Sequence, residues 1–256
     1  VLIASHDGQA IGALHARASE TGVPRHTFAV VVDPAVRATG VARQLVEHAL
    51  GLVAERGGGP VELWAFGADD QADAFARATG FTPARELWQM RVPLPLDEPP
   101  AWPEGVRVRT FEPGRDEDAW LAVNNRAFRD DPDQGGWTRE TLALREGEPW
   151  FDPAGFLLAE VGDELGGFCW TKVHPAEPPR EPGALGEIYV IGVDPKHQGT
   201  GLGRALVVGG LDSLHQRDVS TGMLFVDAAN KPAVSLYRAL GFDVARVDRA
   251  YTRTAP

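Results

Sequence analysis

Apolar and polar positions along the chain follow two rhythms. Ile188 to Val193 is an unbroken apolar, β-branched run that predicts a buried strand, and Asp194-Pro195 ends it. Beyond a glycine-rich turn, Leu202, Leu206, Val207 and Leu211 recur at helical spacing and predict a helix over Leu202 to His215. Met223 to Val226 predicts the next strand. Pro232 to Leu240 predicts a second helix, with Pro232 in its first turn and Gly241 as its stop. Arg246 to Thr252 predicts a final strand. Upstream, Phe156 to Glu160 followed by Gly166 to Lys172 reads as a hairpin.

The pattern occurs twice. Val31-Val32-Asp33-Pro34 with Arg37-Ala38-Thr39-Gly40-Val41-Ala42-Arg43 reappears as Gly192-Val193-Asp194-Pro195 with Gln198-Gly199-Thr200-Gly201-Leu202-Gly203-Arg204, at an offset of 194 − 33 = 161. Arg77-Ala78-Thr79-Gly80-Phe81 matches Arg238-Ala239-Leu240-Gly241-Phe242 at the same offset. A constant offset with Asp-Pro, glycines, arginines and Gly-Phe in step predicts two tandem α/β units. Val1 to Ser5 and Gly12 to Leu14 occupy the place of the later hairpin. The second copy has about fifty further residues ahead of its hairpin, Val106 to Gly155, so the first copy is expected to lack a segment of roughly that size.

Five prolines between Pro93 and Pro103 predict an extended connection. The expected organisation is therefore an N-terminal domain over 1–92, a linker over 93–105 and a C-terminal domain over 106–256. Pro175 to Pro182 reads as a long loop. Composition narrows the function: 25 basic against 36 acidic residues give a net charge of −11, which argues against a nucleic-acid backbone as partner and suits a cationic amine. No apolar run approaches the roughly 20 residues of a membrane span. Cys169 is the only cysteine, which excludes an intrachain disulfide and a cysteine-based zinc site.

The turn Gln198 to Gly203 can cradle an anion. Its glycines allow positive φ and close approach, and the first helical amides lack internal partners. It is neither a Walker loop nor a dinucleotide fingerprint. Read as Gln/Arg-x-x-Gly-x-Gly/Ala after a strand ending Val-Asp-Pro, it resembles the acyl-CoA motif of the GCN5-related N-acetyltransferases (GNAT). Asn230 with Ala233-Val234, Leu236-Tyr237 and Leu240-Gly241-Phe242 resembles that family's second motif. Val123 to Phe128, Gln134 to Thr138, Glu148 to Pro153, Trp170 to His174 and Leu185 to Val190 are similar to the family's two-domain mycothiol synthase branch.

The resemblance implies an α/β fold (α+β by some schemes) of two tandem GNAT domains, each a central mixed sheet flanked by helices. It also implies an acetyl-CoA-dependent N-acetyltransferase with a small-molecule amine as partner and no metal. The branch's acceptor is the cysteinyl amine of a cysteinyl-glucosaminyl-inositol. Another amine, such as an aminoglycoside or a peptide N-terminus, and a non-catalytic acetyl-CoA-binding module are the alternatives. A cytoplasmic monomer is expected. Acetyl-CoA is expected at Ile191, Gly192, Val193, Gln198, Gly199, Thr200, Gly201, Leu202, Gly203, Arg204 and Asn230. In the first copy the corresponding positions are Val30, Val31, Val32, Arg37, Ala38, Thr39, Gly40, Val41 and Ala42.

Acetylating an amine requires removing its ammonium proton, polarising the thioester and protonating the leaving thiolate. Glu187 is the candidate base, Tyr237 the candidate acid, and the Val193 amide the candidate donor to the thioester carbonyl. Asp133, Lys172, Glu187 and Phe225 are the candidate acceptor-binding residues by resemblance. Asp133 and Phe225 depart from the branch's pattern, which has glutamate and tyrosine there. Subtracting 161 turns Glu187 into His26, Tyr237 into Ala76 and Asn230 into Asp69, so the first copy is expected to be catalytically degenerate. Cys169 reads as a small packing residue. His174 and His197 read as loop histidines without evident partners.

Overall fold

A computed structural model describes residues 1–18, 25–129, 131, 134–179 and 181–255. The chain divides into two compact units. The first comprises Val1–Gln89, Val226–Lys231 and the segment from Val244, and the second Met90–Phe225 with Pro232–Asp243.

In the first unit a hairpin of β1 (Leu2–His6) and β2 (Gln9–Ala18) leads to β3 (His26–Val32), α1 (Val41–Ala54), β4 (Gly59–Ala65) and α2 (Asp70–Ala78). β2 pairs antiparallel with β3 in one unbroken register, from Gly12 opposite Val32 to Ala18 opposite His26. β3 and β4 run parallel over His26–Ala29 and Val61–Trp64. Leu14, Phe28, Val46 and Val61 are fully buried where α1 packs on the strands.

β5 (Thr82–Pro93) spans the division between the units. The second unit continues with β6 (Val106–Thr110), α3 (Glu117–Ala127), α4 (Arg139–Glu146), β7 (Phe156–Val161), β8 (Glu164–His174), β9 (Leu185–Val193), α5 (Leu202–His215), β10 (Thr221–Asp227) and α6 (Lys231–Ala239). Its strands lie in the order β10-β9-β8-β7-β6. Trp120 of α3 anchors one face, with its ring 5.3–5.9 Å from those of Trp137, Phe156, Phe168 and Trp170. The opposite face carries α5, whose Gly210 leaves room for the Cys169 thiol: a Cβ there would come within 2.5 Å of Sγ.

The repeat is visible atom by atom. α1 and α5 are both 14 residues long and both start at a left-handed glycine, Gly40 at φ 95° and Gly201 at φ 87°. Gly12 packs against Val41 and Leu45, and Gly167 packs against Leu202 and Leu206, the same two positions shifted by 161.

The ends of the units depart from the sequence boundaries. Residues 90–105 cluster with the second unit. Leu94 is buried and its amide donates to Ser220 O at 2.9 Å. Glu98 pairs with Arg204, and Trp102 covers Gly209. The last strand, β11 (Asp243–Ala255), was expected in the C-terminal domain. From Val244 it belongs to the first unit, pairing antiparallel with β4 from Arg249 opposite Ala65 to Ala255 opposite Gly59. There Arg249 binds Glu86 at 2.7 Å and also engages Asp73, which accepts from the Tyr251 hydroxyl at 2.6 Å. Among the described residues no helix is long and apolar enough to cross a membrane.

Candidate functional site

The second unit's glycine turn is built from Asp194 outward. Its carboxylate accepts from the Lys196 amide at 3.0 Å and caps a single 3-10 turn, Pro195–His197. It is buried and takes the Arg126 guanidinium at 2.5 Å. Burial disfavours the ionised carboxylate, but the Lys196 amide and Arg126 outweigh it and hold its pKa below the usual range. Thr200 Oγ1 donates to His197 O at 2.7 Å. Gly199 and Gly201 have positive φ, and a Cβ on either would meet nothing within 4 Å. Gly201 caps α5 without a side-chain hydrogen bond, so the amides of Leu202, Gly203 and Arg204 face an open approach. That cradle fits a pyrophosphate: open space, bare amides and the positive end of a helix.

The first unit reproduces this turn. Asp33 accepts from the Ala35 amide at 2.8 Å, and Thr39 Oγ1 donates to Val36 O at 2.7 Å. Ala38 holds φ 62° where the second copy has Gly199. A cavity of about 250 Å³ lies against it, lined by Val32, Val36, Arg37, Gly40, Val41 and Phe75 among others.

The candidate base is delivered by a β-bulge. In β8 and β9, Trp170 stands opposite Val190 but Thr171 stands opposite Ile188, so Tyr189 is an extra residue. Side chains alternate along a strand. Without the bulge, Glu187 would share the face of Ile191 and Cys169, under α5. With it, Glu187 lies opposite Lys172 on the face of Trp170. The parallel pairing of β9 with β10 covers Gly186–Ile188, and β9 runs on to Val193 beyond it. Ile191, Gly192 and Val193 thus lie where the two strands have ceased to pair.

Glu187 is buried, and its Oε2 lies 2.6 Å from His174 Nε2. His174 was expected in a loop without a partner; it is the last residue of β8. The antiparallel hairpin that puts Lys172 opposite Glu187 also brings His174 beside it, and only the register reveals this. Lys172 Nζ lies 4.5 Å above the Trp150 ring and 5.8 Å from that of Tyr189. Trp150 and Tyr189, which sequence reasoning passed over, thus form an aromatic wall beside the base. Burial pushes the Tyr189 phenol up from its ordinary pKa.

Phe225 is half-buried on β10, two residues beyond Met223, which stands opposite Glu187. Tyr237 is buried in α6 with its ring 5.7 Å from Phe242. Burial, reinforced by the nearby Cys169 thiol, pushes its phenol up to about 12, so it stays protonated at neutral pH. Burial pushes the Cys169 thiol up to about 12 as well, in keeping with a packing role. Asn230 is exposed at the start of α6, in a segment that clusters with the first unit. Asp133 lies outside the described residues.

In the first copy His26 opens β3 in an unbulged register, Ala76 is buried in α2, and Asp69 caps α2 by accepting from the Ala72 amide at 2.9 Å. Among the described residues no group of three or more His, Cys, Asp or Glu side chains is placed to hold a metal ion.

Comparison with known proteins agrees with this geometry. The profile of the acetyltransferase (GNAT) family matches residues 1–81 and 118–242. The mycothiol acetyltransferase of Thermobispora bispora is 53% identical over 88% of this chain and 75% of its own length. That of Thermomonospora curvata is 47% identical over the whole chain and 82% of its own length. Among solved structures, a GCN5-related N-acetyltransferase from Sphaerobacter thermophilus superposes with a TM-score of 0.78 at 26% identity, over 97% of this chain and 78% of that one. A tandem GNAT protein of the clavulanic acid biosynthesis pathway, at 21% identity and a TM-score of 0.75 over 99% of this chain and 82% of its own, shares the fold. With the turn, the strand bulge and the family profile in agreement, the chain belongs to the GNAT family of acetyltransferases.

Proposed function

We propose that this enzyme transfers the acetyl group of acetyl-CoA to the cysteinyl amine of a cysteinyl-glucosaminyl-inositol, giving mycothiol. The observation that carries the chemistry is the bulge at Tyr189, which turns a buried carboxylate away from α5 and towards Lys172. The turn from Gln198 to Arg204 holds the pyrophosphate of acetyl-CoA. Glu187 takes a proton from the acceptor's ammonium, and the freed amine attacks the thioester carbonyl, whose oxygen takes a hydrogen bond from the Val193 amide. A carbon–nitrogen bond forms and the carbon–sulfur bond breaks; Tyr237 gives its proton to the departing thiolate, and the second proton that the acylated nitrogen sheds passes through solvent to the phenolate and restores it. Lys172, Asp133 and Phe225 contact the sugar and inositol. The first copy's turn can hold acetyl-CoA without using it, because His26 and Ala76 stand where the proton carriers would be.

Relatives named mycothiol acetyltransferase, 45–53% identical, support the acceptor assignment. Incubating the enzyme with acetyl-CoA and the cysteinyl glycoside should release free CoA thiol far faster than free cysteine or an aminoglycoside does. A polyol site discriminates strongly because a wrong ligand leaves its polar groups unpaired. Equal rates with and without the inositol would sink this assignment. A faster rate with an aminoglycoside would replace it with that acceptor class.

A further inference from the structure

We propose that His174 is the positioning residue for the base: its Nε2–H donates to Glu187 Oε2, fixing the carboxylate so that Oε1 faces the incoming ammonium. The proposal rests on Glu187 acting as the base. His174 Nε2 and Glu187 Oε2 are 2.6 Å apart, and the Glu187 side chain is 11% exposed against 33% for His174. A carboxylate that deeply placed needs a hydrogen-bond donor to offset the hydration it has lost. Lys172 stands opposite it in register, but the Lys172 ammonium lies over Trp150, so the imidazole is the group the carboxylate engages.

Among the described residues, several charged and titratable groups stand around Glu187. β8 contributes Lys172 and His174, and β9 contributes Tyr189. The segment after α4 contributes Glu148 and the last turn of α4 contributes Arg145, both acting on Tyr189. On α3, Arg126 is engaged by Asp194. On β10, the residue opposite Glu187 is the uncharged Met223.

The test compares His174→Ala, His174→Gln, Glu187→Gln and the Glu187→Gln/His174→Ala double variant. His174→Ala should lower kcat roughly 10- to 100-fold, the range for losing a partner that orients a functional ligand. The KM for acetyl-CoA should stay as it was. His174→Gln keeps an N–H donor on a side chain of similar reach and should recover most of kcat. The double variant should be no slower than Glu187→Gln alone, because His174 acts through Glu187. Equal losses in the Ala and Gln variants, or additive losses in the double variant, would each overturn the proposal. Full activity in Glu187→Gln would overturn the base assignment as well, whereas a slow Glu187→Gln beside an unaffected His174→Ala overturns the positioning role alone.

Discussion

The two units carry the same turn and differ in the strand that leads into it. Both place a helix-start glycine in the left-handed region, both brace the turn with an Asp and a Thr, and both pack the hairpin glycine against the same two helix positions. The difference lies across the hairpin. β2 and β3 pair without interruption, whereas β8 and β9 are interrupted at Tyr189. One inserted residue reverses the face on which every preceding side chain stands. Cofactor binding and catalysis are therefore separable in this fold: the turn supplies the first, and the bulge with its carboxylate supplies the second.

The largest expected effect tests that separation directly. Glu187→Gln keeps the shape and loses the basicity, so turnover should fall by roughly 10²–10⁴. High pH should recover part of it, since the acceptor amine then arrives already neutral. Adding His26→Glu to that variant should restore nothing, because an unbulged β3 puts residue 26 on the face of Phe28 and Leu14, against α1. Restored turnover would show that a carboxylate at this sequence position suffices without the bulge.

The next effect separates the two turns. Gly201→Glu and Gly40→Glu impose a similar backbone cost, since both glycines sit at positive φ with open space around them. Each also puts an anion at a helix N-terminus where a pyrophosphate belongs. Gly201→Glu should raise the KM for acetyl-CoA at least tenfold, the effect of about 1.4 kcal/mol of lost binding. Gly40→Glu should leave turnover intact. Loss of turnover in the Gly40 variant, in a protein that still melts cooperatively, would give the first turn a part in the reaction.

The sequence revealed the features that local chemistry dictates. The Asp-Pro stops, the glycine at each helix start and the spacing of Leu202, Leu206 and Leu211 each have a short-range cause, and together they exposed the repeat. What it hid depends on register. Tyr189 as an extra residue, and His174 as the neighbour of Glu187, exist only once β8 and β9 are aligned, and β-branched runs such as Ile188 to Val193 fit either alignment. The destination of β11 was hidden for a similar reason. Arg246 to Thr252 reads as a strand, but its partner is chosen by remote groups: Asp73, Glu86 and the edge of β4.

That network predicts an acid dependence that differs between the units. In the first, the Tyr251 hydroxyl and then Arg249 hold the Asp73 carboxyl below its ordinary 3.8. In the second, Arg109 and then Arg107 outweigh burial to hold Glu160 below 4.5. A carboxylate whose pKa is depressed on folding stabilises the fold above its unfolded pKa, and that stability is lost as pH falls through the folded value. Both units should therefore weaken below about pH 4. Tyr251→Phe removes the main cause at Asp73 and brings its folded pKa closer to the unfolded one. The first unit should then be less stable at neutral pH and show a shallower acid slope, while the second is unchanged. Hydrogen exchange on β4 and α2 against β7 and β8 distinguishes the two, and a uniform change across both would refute the assignment.

The smallest effect concerns a left-handed turn position at which one copy has alanine and the other glycine. Ala38 holds φ 62° where Gly199 holds φ 78°, so the first unit keeps a left-handed geometry with a residue that resists it. A Cβ in that region costs roughly 1–2 kcal/mol. Replacing it with glycine removes that strain but adds about 0.5–1 kcal/mol of unfolded-chain entropy. The net gain of Ala38→Gly is then about 0.5–1 kcal/mol, which should raise the melting temperature by roughly 1–4 °C. Gly199→Ala should lower it by a similar amount. If Ala38→Gly fails to stabilise while Gly199→Ala destabilises, the first turn relaxes freely around Ala38, and the likeness of the two turns is then one of sequence rather than of enforced backbone.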